Sequence, residues 1–334
     1  MTSVAVMGAG TWGTAFSLVL ADAGNDVRMW GRRPEVCDAI NSTGENPEYL
    51  PGVALPRSIA AEHDPAKALR DAHVVVVAVP AQLLRENLGP WVPLIEPDAV
   101  LLSLMKGVEL GTMKRMSEVI AELTGAGPDR VAALSGPNLA KEIAARQPAA
   151  TVVACADHDV AVRLQKLCHT AMFRPYTNID VVGCELAGAT KNVIALAVGM
   201  ASGLGFGDNA KASVITRGLA ETGRLAAAAG ADPMTMAGLA GLGDLVATCS
   251  SPLSRNRTFG EKLGRGKTVD EVVASSRQVA EGVRSCESIR GLSERHGVEM
   301  PIVEAVSALI RGETTPAEMV RSLISRAARS ERWS

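Results

Sequence analysis

A short apolar run that leads directly into Gly8-Ala9-Gly10-Thr11-Trp12-Gly13 constrains this chain more than any other feature. The G-x-G-x-x-G spacing follows a strand pattern at 4–7 and opens a helical pattern that runs toward Asp22. In that setting each glycine has a mechanical role. Gly8 permits a tight strand-to-helix turn, Gly10 lets a pyrophosphate approach the backbone, and Gly13 lets the helix lie close on the strand. The helix start then offers N–H groups without intrahelical partners to phosphate oxygens. A tight turn in any α/β protein can use the same glycines, but strand, turn and helix in this order predict a dinucleotide site at Gly8, Gly10 and Gly13.

Further strand patterns lie at 27–30, 74–79, 100–104 and 131–134, and two more are expected at 151–156 and 172–176. The run Val74-Val75-Val76-Val77-Ala78-Val79 is apolar at consecutive positions, as a strand covered on both faces requires. Strands alternating with longer helical patterns predict an α/β fold, a Rossmann-type doubly wound parallel sheet. From about Glu185 onward Ala, Leu and Gly dominate, and stretches such as 211–229 keep helical spacing. A chain of 334 residues exceeds the usual ~100–200 residues of one domain. The expected division is therefore 1–180, dinucleotide-binding, and 181–334, an all-helical substrate and catalytic domain. No Pro/Ser-rich linker separates the two, so direct packing with a cleft is expected.

With 34 Lys plus Arg against 36 Asp plus Glu, the net charge of −2 gives no global field for nucleic acid or anionic lipid. Six scattered cysteines without a CxxC pair, and no His cluster at ligand spacing, predict reduced buried thiols and no metal. The start lacks the order of a signal peptide. The apolar segment 193–206 is broken by glycines and is shorter than the ~20 residues a membrane span needs. These features predict a cytoplasmic protein with no membrane span. Residues 325–334 are expected to fray.

The end of the second strand discriminates between dinucleotides. NAD-selective sites usually carry an acid there for the ribose 2′-OH, whereas this chain reads Met29-Trp30-Gly31-Arg32-Arg33 with no acid before Glu35. Two arginines suit a 2′-phosphate, so NADP is the expected preferred cofactor, with NAD also usable. The alternative is that one or both cap a turn or face water.

Hydride transfer from a secondary alcohol needs a base for the hydroxyl proton. None of the five histidines sits in a pattern that suggests a relay. Lys106, after the fourth strand, and Lys191, in a helical apolar segment, each interrupt a stretch meant for burial. Free lysine, with a pKa of about 10.4, becomes a base near neutrality only when burial or neighbouring positive charge lowers that value. A snorkelling surface lysine fits Lys191 equally well from spacing alone, and a solvated strand end fits Lys106. Ser254-Arg255-Asn256-Arg257 can clamp a phosphate or form a polar surface turn. Asp244, after a glycine-rich turn, can orient an ammonium or cap a helix. Gly136-Pro137-Asn138 is a strand-end loop of the kind that faces ligands.

In order along the chain, Gly8-Ala-Gly-Thr-Trp-Gly-Thr-Ala, Ser103-Leu-Met-Lys-Gly-Val-Glu, Ser135-Gly-Pro-Asn-Leu-Ala, Lys191-Asn-Val-Ile-Ala, Gly205-Phe-Gly-Asp-Asn-Ala-Lys, Gly238-Leu-Ala-Gly-Leu-Gly-Asp-Leu and Ser254-Arg-Asn-Arg resemble the bacterial type of NAD(P)-dependent glycerol-3-phosphate dehydrogenases. The resemblance covers nearly the whole chain. It implies that Lys191 is the proton acceptor and that Lys106 touches both cofactor and substrate. Gly136, Asn138, Asp244, Ser254, Arg255 and Asn256 match substrate-binding positions, with Arg255 also near the cofactor. Thr11, Trp12, Arg32, Arg33, Ala140, Val279 and Glu281 match cofactor contacts. It further implies interconversion of sn-glycerol 3-phosphate and dihydroxyacetone phosphate, supply of phospholipid synthesis, and a homodimer. Two departures stand out: Asn138 replaces the usual Ser or Thr, and Met105 precedes Lys106 where Ser is familiar. An amide at 138 can still donate to a phosphate or hydroxyl. The β-hydroxyacid and 6-phosphogluconate-type dehydrogenases share this architecture, but their characteristic segments are not evident. A nucleotide-sensing protein without turnover need not keep Lys191, Asp244 and Arg255 together, and Ser254 to Arg257 lacks the basic stripe of a nucleic-acid contact.

Overall fold

The structure, a computed structural model, describes residues 2–275 and 281–325. By contact density the chain divides into two compact units, residues 1–106 with 114–184, and residues 107–113 with 185–334.

The first unit is built on an eight-stranded sheet of β1 (Ser3–Met7), β2 (Asp26–Trp30), β5 (Ile59–Glu62), β6 (Val74–Val77), β7 (Val100–Ser103), β8 (Val131–Ser135), β9 (Ala149–Cys155) and β10 (Phe173–Asn178). Its order is β10-β9-β8-β7-β6-β1-β2-β5, and a separate two-stranded ribbon pairs β3 (Glu45–Asn46) with β4 (Leu50–Ala54). Helices α1 (Thr11–Asp22), α2 (Pro34–Thr43), α3 (Pro65–Leu69), α4 (Leu84–Trp91), α5 (Met116–Thr124), α6 (Ala140–Ala144) and α7 (His158–Cys168) connect them. Alternate residues of the central strands enter different cores. Val4, Val6, Val74 and Val76 pack with Phe16, Val27 and Phe173, whereas Ala5, Met7, Val75 and Val77 pack with Trp30, Leu88 and Trp91. That two-sided burial is why the valine run shows no polar alternation.

The expected Rossmann-type sheet is present, with one departure from an all-parallel arrangement. β8 and β9 pair antiparallel while β9 and β10 pair parallel, so the last two strands run against the rest. A parallel return needs a crossover of a dozen or more residues, usually through a full helix. The connection between β8 and β9, residues 136–148, is long enough, but only the five residues of α6 in it are helical, and the chain turns back beside β8.

The second unit contains helices and no strand among the described residues: α8 (Val181–Gly203, from residue 185 onward), α9 (Asp208–Ala228), α10 (Asp244–Ser250), α11 (Arg255–Gly264), α12 (Val269–Ala274), α13 (Glu281–His296), α14 (Pro301–Ile310) and α15 (Pro316–Ile324). The segment at 107–113 belongs here: Arg295 donates to the Thr112 carbonyl at 2.8 Å. α8 corrects the sequence reading of a short apolar segment. It starts at Val181 and runs 23 residues, long and apolar enough to cross a bilayer by length and composition. Yet 89% of its most apolar window is buried inside the protein, as befits a core helix apolar on every face. The tail at 326–334, expected to fray, lies outside the described residues.

Candidate active site

The glycine turn has the shape that a pyrophosphate requires. Gly8 has φ of +142°, and a Cβ there would lie 2.5 Å from the Ala78 carbonyl oxygen. A Cβ on Gly13 would overlap the Gly8 carbonyl. On Gly10, the N-cap of α1, a Cβ would meet nothing within 4 Å, so this is the open face of the turn. Thr11 begins α1, and the buried indole Nε1 of Trp12 has no hydrogen-bond partner. Trp12 and Ala140, the first residue of α6, pack against the same small cluster of Ala15, Leu50 and Ala144. Three glycines in a tight, one-side-open turn and an orphaned donor fit a dinucleotide.

The two arginines that follow β2 have different surroundings. Arg32 is exposed and forms no ion pair among the described residues. Arg33 is bonded to Glu48, lies 3.8 Å from Glu35, and stacks 5.7 Å from the Tyr49 ring centroid. The Glu48 hydrogen bond raises the Arg33 guanidinium above its usual value. Glu48 and Tyr49 carry no signal in the sequence because they sit in the β3–β4 turn, 18 and 19 residues beyond the end of β2 at Trp30.

At the same carboxyl edge of the parallel strands, beyond the ends of β7 and β8, Lys106 Nζ donates to the Gly136 carbonyl at 3.0 Å. Gly136 has φ of +144°, and a Cβ there would lie 2.9 Å from Thr151 Oγ1. The loop is tied to β9 through a directed chain: Asn138 Nδ2 donates to Thr151 Oγ1 at 3.0 Å, and Thr151 donates to the Ser135 carbonyl at 3.0 Å. Because the Thr151 proton is committed, its oxygen must accept, which fixes the amide orientation of Asn138. Asn138 Oδ1 is left buried without a partner.

In the helical unit, Lys191 sits at the middle of α8, and it is only 8% exposed, which removes the snorkelling alternative. Its Nζ donates to Asp244 Oδ1 at 2.5 Å and to Thr248 Oγ1 at 2.8 Å, and Thr248 donates to Asp244 at 3.2 Å. Asp244 is 1% exposed and is the first residue of α10, whose N-cap is Gly243. A π-helical turn, Leu239–Gly243, precedes it; such turns aim side chains at sites in ways an α-helical register does not. Thr248 was missed in the sequence, although Asp244 and Thr248 are four residues apart and so share one helix face. The neighbouring Cys249 is not a candidate base: burial pushes its thiol up to about 12.

The Ser254 to Arg257 segment is not a surface turn. Ser254 and Asn256 are buried while Arg255 is exposed. Ser254 caps α11, accepting from the Arg257 N–H at 3.2 Å. Asn256 ties three helices together, donating to Asn192 Oδ1 at 2.9 Å and accepting from the Gly282 N–H at 2.9 Å. Glu281 is the first residue of α13, and Val279 lies outside the described residues.

A Rossmann unit whose turn fits a dinucleotide, and a helical unit that buries and holds a lysine, define an NAD(P)-dependent dehydrogenase. Known proteins bear this out. Residues 3–161 match the family model described as NAD-dependent glycerol-3-phosphate dehydrogenase N-terminus, and residues 180–321 match the corresponding C-terminus. The chain is 63% identical over 328 residues to a Streptomyces griseus protein named glycerol-3-phosphate dehydrogenase [NAD(P)+], covering 98% of each chain. It is 62% identical over 334 residues to one of the same name from Thermobifida fusca, covering 100% of this chain and 99% of the relative. A solved glycerol-3-phosphate dehydrogenase from Coxiella burnetii, 37% identical, superposes with a TM-score of 0.93 over 97% of this chain and 99% of its own. The chain belongs to the NAD-dependent glycerol-3-phosphate dehydrogenase family, and it is an oxidoreductase that uses NAD or NADP.

Proposed function

We propose that Lys191 is the proton acceptor in the family's reaction, the interconversion of sn-glycerol 3-phosphate and dihydroxyacetone phosphate, with Asp244 and Thr248 holding its Nζ. The carrying observation is a buried lysine with two fixed oxygen partners. An ammonium has three hydrogens; with two directed at Asp244 and Thr248, the third is the one exchanged with the C2 hydroxyl. In oxidation the neutral amine takes that proton, and in reduction the ammonium returns it. The nicotinamide, when bound, supplies the hydride acceptor or donor.

The substrate phosphate is assigned to the start of α11. A helix N-terminus carries free N–H groups and partial positive charge, and Arg255 adds a full charge there. The Ser254 hydroxyl, which accepts at the cap, donates its own proton, and Asn256 offers its remaining N–H. Asn138 supports the reading from its own loop through the unsatisfied Oδ1, an acceptor for a substrate hydroxyl rather than for a phosphate, with Lys106 and Gly136 beside it. Gly8, Gly10, Thr11, Trp12, Gly13, Arg32, Arg33, Lys106, Ala140, Arg255, Val279 and Glu281 are assigned to the cofactor. Residues 1–180 serve as the dinucleotide-binding part and 181–334 as the substrate and catalytic part.

NADP is the preferred cofactor in this reading because Arg32 places an unshared positive charge at the end of β2. The protein acts in the cytoplasm as a homodimer, and the glycerol 3-phosphate it makes feeds phospholipid synthesis. Initial rates of dihydroxyacetone phosphate reduction with NADPH and NADH, followed at the reduced-nicotinamide absorbance, test the assignment. Loss of turnover in Lys191→Ala with cofactor binding intact is the expected result. Near-normal turnover in that variant overturns the role of Lys191, and a purely monomeric sedimentation profile overturns the dimer.

A further inference from the structure

The ribbon beyond α2 is part of the cofactor end of the fold. Asn46 is fully buried, and its Nδ2 donates to the Ala9 carbonyl within the glycine turn at 3.0 Å and to Thr14 Oγ1 at 2.8 Å. The Tyr49 N–H returns to Asn46 Oδ1 at 3.2 Å, and Leu50 is buried against Ala15 of α1. Residues 48 and 49 are thus fixed to the glycine turn by hydrogen bonds and packing on both sides.

From that position Glu48 bonds Arg33 Nη2, the same nitrogen that lies 3.4 Å from the Tyr49 hydroxyl. Glu35 approaches Nε at 3.8 Å. One guanidinium therefore faces two carboxylates, and the local charge at Arg33 is negative rather than positive. Arg32, next to it, keeps its charge to itself. The two arginines that read alike in the sequence are electrostatically unlike.

We propose that Glu48 sets how strongly this enzyme selects NADP over NAD, by competing with the 2′-phosphate of NADP for Arg33. The inference rests on the reading of Arg32 and Arg33 as 2′-phosphate ligands. A 2′-phosphate brings a charge of about −1.5 to −2. To gain Arg33 it must displace Glu48 from Nη2, and it meets the repulsion of that carboxylate wherever the carboxylate goes. The 2′-hydroxyl of NAD carries no charge, suffers no repulsion, and can donate to Glu48. Arg32 draws NADP in while Glu48 limits the advantage, which accounts for an enzyme that takes both cofactors. One unit charge beside a near-dianion in a half-exposed site changes affinity by roughly three- to tenfold.

The test is direct binding, independent of turnover. Dissociation constants of NADPH and NADH are measured by isothermal titration on the full chain for wild type, Glu48→Gln, Arg33→Ala and the double variant, with Glu48→Asp and Glu48→Ala alongside. Neutralising Glu48 in Gln or Ala tightens NADPH roughly three- to tenfold and leaves NADH within about twofold, and once Arg33 is gone it tightens NADPH by a different factor, because only direct repulsion is then removed. Glu48→Asp, which keeps the charge, stays near wild type. If Arg33→Ala weakens NADPH but Glu48→Gln leaves it unchanged or weakens it too, Glu48 orients Arg33 and the competition is wrong. If Arg33→Ala leaves the NADPH to NADH ratio unaltered, Arg33 is not a 2′-phosphate ligand, and the fault lies in the underlying reading.

Discussion

Replacing Gly260 by alanine isolates what close helix packing does for the substrate end. α8 carries Gly199 and Gly203, and α11 carries Gly260 and Gly264, each pair four residues apart and so on one helix face. A Cβ on Gly260 would overlap the Leu196 carbonyl oxygen and lie 2.9 and 3.0 Å from Leu196 C and Cα. The other three are equally tight: Gly199 against Glu261 N at 2.8 Å, Gly203 against Gly264 Cα at 2.8 Å, and Gly264 against Gly203 Cα at 2.9 Å. Carbon atoms rest at about 3.5–4.0 Å, so a methyl at 260 demands a separation of about 1 Å. Alanine gains about 1 kcal/mol in helix propensity, but overpacking against backbone costs about 3 kcal/mol, leaving a net loss of about 2 kcal/mol. Asn256 and Arg255 lie one turn away on the same helix, so the shift displaces them from Lys191, and a misplacement of about 1 Å can cost on the order of 10²-fold in kcat/KM. Urea unfolding and steady-state dihydroxyacetone phosphate reduction read the two effects. Stability within about 0.5 kcal/mol of wild type, with kcat/KM within about threefold, refutes the argument that this crossing positions the site.

Lys191→Met should lower kcat by at least about 10²–10⁴-fold with NADPH binding retained, and destabilise the fold by about 3–5 kcal/mol because the buried Asp244 carboxylate loses its cationic partner; spectroscopic titration and urea melts check both. Thr248→Val keeps the shape while removing one of the two partners of Nζ, so kcat should fall roughly tenfold with KM and the urea midpoint little changed; a loss of stability at constant kcat would make Thr248 merely structural. Burial pushes the Glu221 carboxyl from 4.5 up to about 7, against hydrogen bonds from the Ile302 and Val303 N–H groups and the nearby Arg224, with Glu304 adding to the rise. Between those values the folded chain holds a proton that the unfolded chain has released, so stability falls as pH rises from about 4.5 to 7 and then levels, by at most about 3 kcal/mol. Glu221→Gln should flatten that slope in urea midpoints taken from pH 5 to 8; an unchanged slope would show that Glu221 does not titrate there.

The parts legible in the sequence are those whose requirements are local. Gly8 and Gly13 declare themselves because a Cβ at either collides with backbone in the same strand-turn-helix unit, and the β6 valines do so because both faces are covered. The parts that were hidden depend on chain returning from elsewhere. Glu48 reaches Arg33 only because Asn46 latches a ribbon onto the glycine turn. Asp244 reads as a turn or cap in Gly-Leu-Gly-Asp, and only the π-helical turn before it reveals why a carboxylate that follows glycines is buried against a lysine 53 residues earlier. The reversal of β9 turns on the brevity of α6, a boundary that periodicity does not resolve in five residues.

α8 links the two side-chain groups to which the substrate chemistry is assigned in this proposal. An all-round apolar helix has no polar face on which to hide polar and charged residues, so Lys191 and Asn192, both buried, need partners inside the unit. Lys191 and Asn192 are adjacent, and successive side chains on a helix point about 100° apart. They therefore address different helices: Lys191 meets Asp244 and Thr248 on α10, and Asn192 meets Asn256 on α11. The group proposed to transfer the proton and the helix end proposed to hold the phosphate are both referred to one stretch of helical backbone rather than to loops. Asn192→Ala should consequently raise KM for dihydroxyacetone phosphate while leaving the Lys191 to Asp244 pair intact. Asn192→Asp keeps the acceptor for Asn256 but should be worse than Ala, since it sets a negative charge against the α11 end proposed to hold a dianionic phosphate. Equal KM values for the two variants would mean that Asn192 only fills space and does not position α11.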